Sequence, residues 1–260
     1  MSRRFIIPLN LGTHISDKSS FYWRKFMGEM EVGGHVAAYI GGAKKKIIVD
    51  TGPPALEQIL KYHTYFKMEP RKPEQEIEAQ LAKAGVKPEE IDIVVLTHLH
   101  WDHVGQVTKF RNAEFIVSQE ELRLALDPLP CLYLFYDALQ LGMQPEFLKV
   151  IERIKTIDMK EKEIVEGVRV IPLPGHTTGS MGVVVETEKG PCVIAGDAVP
   201  KYGNLEGSYK ERQPYLMSGI YMDMEAMWKS FEFIDEIVGH DFSKVIPGHE
   251  PLVFQKDRFP

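Results

Sequence analysis

One short stretch constrains this chain more than any other. Thr97-His98-Leu99-His100-Trp101-Asp102-His103 puts three imidazoles and a carboxylate within six residues. It directly follows Ile91-Asp92-Ile93-Val94-Val95-Leu96, a nearly continuous apolar and β-branched run that reads as a buried strand. A strand ending in four potential ligands builds a core poorly and a metal site well. Neutral imidazole nitrogen and carboxylate oxygen both bind zinc and similar divalent ions. In extended backbone His98 and His100 project to the same side, because side chains alternate with period two. They can grip one ion from one side. Asp102 and His103 come after the chain turns and can address a second ion beside the first.

Further ligand-type segments follow: Pro174-Gly175-His176-Thr177-Thr178-Gly179-Ser180, Gly196-Asp197-Ala198 and Pro247-Gly248-His249. Upstream stands Val49-Asp50-Thr51-Gly52. With H-x-H-x-D-H after a strand, this set resembles, in the same order, the motifs of the metallo-β-lactamase superfamily of hydrolases. The resemblance spans roughly residues 36 to 253. It implies an α+β fold, the four-layer αββα sandwich, with two facing sheets and helices outside. Element order alone says only mixed α and β, with the site along one edge of a sheet.

The resemblance also implies roles. His98, His100 and His176 would hold a first metal, Asp102, His103 and His249 a second, and Asp197 would bridge them. Zinc is the first expectation, with iron, manganese or cobalt as alternatives. Two such ions lie ~3.5–4 Å apart and share a water, whose pKa falls from 15.7 to about 7. The resulting hydroxide would attack a carbonyl polarised by the same ions. Asp102 and Asp197 are thereby candidate catalytic residues as well as ligands. Asp50 reads either as the residue that orients a ligating histidine or as a simple turn former.

Two positions narrow the superfamily. Position 100 is His, where the similar diiron flavoproteins carry Glu, which argues against electron transfer. Position 197 is Asp, where the best-known zinc β-lactamases have Cys, which argues against an antibiotic-degrading role. Length and the aromatic residues after Asp197 look similar to the N-acyl homoserine lactonases and the related pyridoxolactone hydrolases. That branch places a substrate-holding tyrosine three residues after the bridging aspartate. Here the position is Pro200 and the nearest tyrosine is Tyr202. Tyr202, with Tyr209, Tyr215 and Tyr221 behind it, is the candidate replacement; ordinary loop packing is the alternative.

The leading expectation is a metal-dependent hydrolase of a small neutral carbonyl substrate, a lactone or a cyclic amide. Two alternatives stand beside it: a mono-iron persulfide dioxygenase-like oxidoreductase, and a thioester hydrolase of the glyoxalase II kind. A binding module on a retired fold is disfavoured, because unused buried ligands destabilise.

Bulk properties agree. The chain has 260 residues, enough for one large domain, with 44% hydrophobic and 26% charged residues. A formal net charge of −6 gives no electrostatic reason to expect nucleic acid or membrane as partner. The expected partner is a small molecule, with a homodimer as an option. Two cysteines, Cys131 and Cys192, provide no disulfide framework and fit a reducing cytoplasm. Met1-Ser2-Arg3-Arg4 lacks the apolar run of a signal peptide, and no stretch reaches membrane-spanning length.

Along the chain, Arg4 to Leu9 reads as a first strand. Gly12 to Trp23 is polar and then aromatic and is placed beneath the mouth of the site; His14 within it reads as a surface or hydrogen-bonded histidine rather than a ligand. Val36 to Ile40 and Lys46 to Val49 flank Gly41-Gly42 as a hairpin. Residues 53 to 72, with Tyr62, His63, Tyr65 and Phe66, read as a short helix and a loop. A helix opens at Pro73 and stops at Gly85. Ser118 to Glu121 forms a capping box. Residues 127 to 148 form an apolar insertion, either a lid, a dimer contact or a buried helix. Residues 199 to 222 form a long active-site loop. Asp223 caps a helix whose stripe Met224, Met227, Trp228, Phe231, Ile234 and Val238 is core, and Gly239 ends it.

Overall fold

Strand alternation sorts this chain into layers. The computed structural model describes residues 4–63 and 67–260; Tyr65, Phe66 and the first three residues lie outside that range. Seven strands form one sheet: β1 Phe5–Asp17, β2 Met30–Gly41, β3 Ile47–Val49, β4 Lys67–Met68, β5 Ile93–Val95, β6 Glu114–Ser118 and β7 Ile154–Ile157, in the order β4-β1-β2-β3-β5-β6-β7. Five form the other: β8 Lys162–Val165, β9 Val168–Pro172, β10 Met181–Thr187, β11 Gly190–Gly196 and β12 Val245–Pro247, in the order β12-β11-β10-β9-β8.

The two faces of each strand go to different cores. Ile47, Val49, Ile93 and Val95 pack between the sheets against Val170, Val183, Val185 and Ile194. Their odd-one-out neighbours Ile48 and Val94 point the other way, onto Ile77, Leu81, Phe110 and Phe147. On the far side of the second sheet, Ile171, Val184 and Val193 meet Met227, Phe231, Ile234 and Val238. These three clusters separate four layers, helix, sheet, sheet and helix, as the αββα sandwich requires.

The helices are α1 Leu56–Tyr62, α2 Ile77–Lys83, α3 Trp101–Val104, α4 Gln119–Leu126, α5 Tyr202–Glu206 and α6 Met224–Val238. Helix α6 follows the sequence closely. Asp223 accepts from the Ala226 amide at 2.9 Å, and Gly239 closes the helix at φ 61°. Burial of Met227, Phe231 and Ile234 contributes roughly 1.5–3 kcal/mol each. No helix among the described residues is long and apolar enough to cross a membrane.

Several boundaries differ from the sequence reading. Strand β1 runs on to Asp17 rather than ending at Leu9, because it pairs with β2 throughout, past an irregularity between Asn10 and Thr13. Pro73 opens a separate 3₁₀ turn; the extended backbone of Glu76 (φ −65°, ψ 143°) parts it from α2. Ser118 caps α4 by accepting from the Glu121 amide at 3.0 Å, but the Glu121 carboxylate is used elsewhere. Residues 127–148 are a chain of short 3₁₀ turns and not a helix, with Tyr136, Met143 and Phe147 buried and Leu129, Leu139 and Leu141 exposed. Residues 199–222 carry the short helix α5 inside the loop.

Candidate metal centre

The centre is built where strands stop. Strand β5 ends at Val95, and the extended segment after it carries His98 and His100. The four-residue helix α3 then turns Asp102 and His103 toward them. His176 follows β9, Asp197 follows β11 and His249 follows β12, so the second sheet delivers its residues to the same edge. All seven residues predicted as ligands converge there. His98, His100 and His176 have ligand atoms within 4.8 Å of one another, as do Asp102, His103 and His249. A third group, His98, His103 and Asp197, joins the two. Asp197 sits between them: Oδ2 lies 3.0 Å from His249 Nε2 and 3.5 Å from His176 Nε2, and Oδ1 lies 3.2 Å from His103 Nε2.

The outer nitrogens decide which atom faces inward. His103 Nδ1–H donates to Asp50 Oδ2 at 2.8 Å. His176 Nδ1–H donates to the Ile220 carbonyl at 3.1 Å, and His249 Nδ1–H to the Gly34 carbonyl at 2.9 Å. Thr97 commits its hydroxyl hydrogen to Asp50 Oδ2, so its oxygen accepts from His98 Nδ1–H at 3.0 Å. Each of these four rings therefore turns a bare Nε2 inward, the tautomer a ligand needs. Asp50 is thus an orienting residue rather than a plain turn former. It adopts φ 59°, a region an Asp tolerates better than most residues.

A cation fits what the nitrogens leave undone. His100 Nδ1 lies 3.1 Å from both His98 Nε2 and His176 Nε2. One hydrogen can bridge only one of those contacts, and lone pairs repel across the other. Among buried atoms, His100 Nε2, His103 Nε2 and Asp197 Oδ1 make no hydrogen bond of acceptable geometry. Orphaned buried polar atoms are costly unless something else holds them. A divalent ion against each histidine group would satisfy the converging lone pairs, and the donor set of imidazole and carboxylate suits zinc, iron, manganese or cobalt.

Electrostatics separates the two groups of rings. Burial, reinforced by neighbouring imidazoles, pushes His98 and His100 well below the ordinary histidine pKa. Burial also lowers His176. Burial opposes charge on His103 and His249 too, but Asp197 and Asp102 outweigh it and raise both. Burial works against the Asp197 anion, yet His249 and His103 hold its pKa well below the usual carboxylate range.

A narrow cavity opens onto this centre. His100, Asp102, His176, Asp197 and His249 line one side, and Trp101, Phe135, Pro200 and Ile220 contribute apolar walls. The centre of a water molecule can occupy about 40 Å³ of it. Among the described residues that line it there is no Lys or Arg. Tyr202 is not there either. Its hydroxyl donates to the Val245 carbonyl at 3.1 Å, on the side of the sheets, so the loop turns it away from the cavity. The side chains of Tyr209 and Tyr215 are also spoken for by solvent and by Asp235 respectively.

Sequence reasoning did not place three further residues, Glu121, His35 and His14, where the structure puts them. Glu121 is fully buried and accepts from the Leu99 amide at 3.0 Å, Tyr136 Oη at 2.9 Å and Thr177 Oγ1 at 2.5 Å. It ties the motif loop, the insertion and the His176 loop together, and burial raises its pKa against those hydrogen bonds. His35, with His14, also lines the cavity, and the ligand atoms of these two rings and of His249 lie within 4.8 Å of one another. The His14 ring is buried rather than on the surface, and hydrogen-bonded: its Nδ1 lies 3.2 Å from His35 Nε2. Burial, with His249 and Lys201 nearby, pushes His14 down to about 3.

The Glu121 junction leaves no space beside it. A methyl group at Gly179 would lie 2.2 Å from the Glu121 amide nitrogen and 2.5 Å from its Cα, both backbone atoms. Gly179→Ala is therefore expected to destabilise the protein by about 1–3 kcal/mol, the usual range for overpacking. Urea unfolding checks this, and an unchanged midpoint would contradict the packing described.

A sequence model described as the Metallo-beta-lactamase superfamily matches residues 30–249. Among characterised relatives, an N-acyl homoserine lactonase of Bacillus sp is 29% identical over 174 residues, which is 65% of this chain and 60% of that protein. The match thus spans less than two thirds of that relative's length. An N-acyl homoserine lactonase of Bacillus cereus is 27% identical over 216 residues, covering 78% of this chain and 76% of the relative. A solved N-acyl homoserine lactone hydrolase, with the product N-hexanoyl-L-homoserine at its catalytic metal centre, superposes with a TM-score of 0.74 at 22% identity, over 97% of this chain and 95% of that one. That likeness is one of fold.

Proposed function

The chain belongs to the metallo-beta-lactamase superfamily, and on that premise we propose that it is a metal-dependent hydrolase that opens a small neutral lactone, or a cyclic amide, at a centre of two divalent ions. The observation that carries this reading is the convergence of five imidazoles and two carboxylates, among which His100 Nε2, His103 Nε2 and Asp197 Oδ1 are buried without a hydrogen bond, at the end of a cavity lined by no Lys or Arg among the described residues. The similarity to proteins named N-acyl homoserine lactonases supports a lactone over other carbonyl compounds.

His98, His100 and His176 would hold one ion, Asp102, His103 and His249 the other, and Asp197 would touch both. Ions in such a place lower the pKa of water and polarise a carbonyl. The protein supplies the rest. Asp50 holds His103 in one tautomer, and the Ile220 and Gly34 carbonyls do the same for His176 and His249. Asp102 faces the cavity with Oδ2 3.7 Å from His249 Nε2 and 3.9 Å from His103 Nε2. In this reading it would accept a proton from a nucleophilic water or hold that water in line. Trp101, Phe135 and Ile220 exclude bulk water and bury the apolar edge of the ring. Phe135 belongs to the 127–148 insertion, and Pro200, Ser218 and Ile220 to the 199–222 loop. We read the first segment as a lid and the second as the opposite wall.

The test is to measure metal content and turnover on one preparation. Close to two metals per chain and loss of lactone hydrolysis on chelation are expected. Elemental analysis without bound metal, together with activity indifferent to strong chelators, would sink the reading. A panel of lactones, cyclic amides, thioesters, β-lactams and phosphodiesters then ranks the substrate classes.

A further inference from the structure

One buried carboxylate stands behind half of the metal centre. Glu121, in the first turn of α4, accepts from the Leu99 amide at 3.0 Å, Thr177 Oγ1 at 2.5 Å and Tyr136 Oη at 2.9 Å. Leu99 lies between His98 and His100, and Thr177 follows His176. Every residue of the first histidine group is thus one peptide away from a hydrogen bond to this carboxylate. The start of α4 grips the His176 loop a second time: Ser118 Oγ donates to the Gly179 carbonyl at 2.7 Å while accepting from the Glu121 amide. Gly179 has no Cβ, and that lets the loop lie against the Glu121 backbone.

The second group is held by other means. Asp50 fixes His103, and the Gly34 carbonyl fixes His249. Asp50 reaches both groups, because it also accepts from the amide and hydroxyl of Thr97, beside His98. The side-chain hydrogen bonds of Glu121 go to the first group's neighbours and to the insertion. Packing alone does not require an ionisable group at such a place. A buried charge is costly, and an apolar residue of similar volume often serves stability as well or better. An apolar residue cannot, however, draw donors from separate segments to one point. For a metal site the gain is ligand placement: hydrogen-bonding partners outside the ligand set typically carry about 10–100-fold in metal affinity.

We propose that Glu121 is the positioning residue of the first ion: by holding the Leu99 amide and the Thr177 hydroxyl at one point it sets the spacing of His98, His100 and His176, and it leaves the second group alone. This rests on the two-ion reading above. Tyr136 ties the same carboxylate to the cavity wall, because its neighbour Phe135 lines the cavity and accepts from the Trp101 amide at 2.9 Å.

The experiment uses the full chain with zinc alone as the probe. Chelator competition gives the affinity of each bound ion, and anomalous diffraction from zinc-loaded crystals shows which histidine group each ion occupies. Glu121→Leu is expected to weaken zinc at the first group at least about tenfold and at the second less than about twofold. Glu121→Gln should stay close to wild type at both. Its amide oxygen can accept from Leu99 and Tyr136, and its amide nitrogen can donate to Thr177 Oγ1, whose own hydrogen then turns to Ser180 Oγ, 2.6 Å away. Thr177→Val removes one arm and should show the same selectivity at smaller size; it carries the test if Glu121→Leu does not fold. Ile234→Ala lowers stability in the buried face of α6, away from the centre, and should leave both affinities unchanged. A Glu121→Leu or Thr177→Val protein that weakens both ions equally, or neither, would overturn the proposal. So would a Glu121→Gln protein as weak as Glu121→Leu, or the same selective loss in Ile234→Ala, which would make the effect one of stability. Wild type that binds no zinc would overturn the two-ion reading and this proposal with it. Wild type that fills both groups, beside variants without selectivity, would overturn this proposal alone.

Discussion

Asp102→Ala is expected to lower kcat by at least about a hundredfold while moving KM by less than about threefold. The expectation comes from where the carboxylate points. Its Oδ2 has three ring nitrogens around it, at 3.6 Å from His35, 3.7 Å from His249 and 3.9 Å from His103. It is the least buried of the proposed ligands and lines the cavity, so it faces the place where a substrate would sit. On the proposed mechanism such a group acts on the attacking water, and that interaction strengthens as charge develops. Its loss belongs to the transition state rather than to substrate binding. Removing it also strips a negative charge from a cluster of imidazoles, which weakens the hold on the second ion. The two effects separate when kcat, KM and metal content are measured on the same sample. A variant with wild-type kcat and full metal content would contradict the role.

The cluster of proposed ligands was legible because its signal is local. His98, His100, Asp102 and His103 sit within six residues, and period-two alternation says which of them share a side. Asp50 was half legible. Its position after a strand was plain, but only the fold brings its carboxylate to His103, across 53 positions of sequence. Helix α6 was legible from Asp223 to Gly239 because caps and stripe agree with one another.

What stayed hidden was set by tertiary contact. Glu121 reads as a helix-opening glutamate, yet its carboxylate joins Leu99, Tyr136 and Thr177, which no spacing announces. His14 was read as surface or hydrogen-bonded, and its place on the cavity wall beside Ser16 stayed hidden because the first strand was ended at Leu9. Carried on to Asp17, the same period-two rule would have put both on one face. His35 needed the β1–β2 register, which its own neighbours Gly33 and Gly34 do not reveal. Tyr202 was favoured for its closeness to Asp197 in sequence, but the turn at Asp197 and Ala198 and the start of α5 send its hydroxyl to Val245. Strand β8 is short and rich in charge, as edge strands are, and gave no apolar run to read.

The fully metallated protein is expected to hydrolyse its best neutral lactone or cyclic amide with a kcat/KM at least about a hundredfold above that for any phosphodiester, or ~2.7 kcal/mol of differential transition-state binding. Enzymes of anionic phosphates usually surround the phosphate with Lys and Arg. The insertion at 127–148 contains neither residue but carries Asp127, Asp137 and Glu146. The cavity wall bears the contrast out: its lining includes Asp102 and Asp197 and no Lys or Arg. Lys201 is close in sequence yet turned aside. Its ammonium donates to the Val32 carbonyl at 2.6 Å, pairs with Glu31 and lies over the Phe21 ring. A phosphodiester would therefore find no Lys or Arg along the cavity wall to add to the charge of the ions themselves. An uncharged ring meets Trp101, Phe135 and Ile220, and burying it contributes roughly 25 cal/mol per Å² of apolar surface. Both substrate classes should be measured on one preparation, because a partly metallated sample would depress both rates and blur the ratio. Equal or greater efficiency on a phosphodiester would mean that the substrate enters from another side, or that the apolar walls open far enough to admit solvent and its counterions.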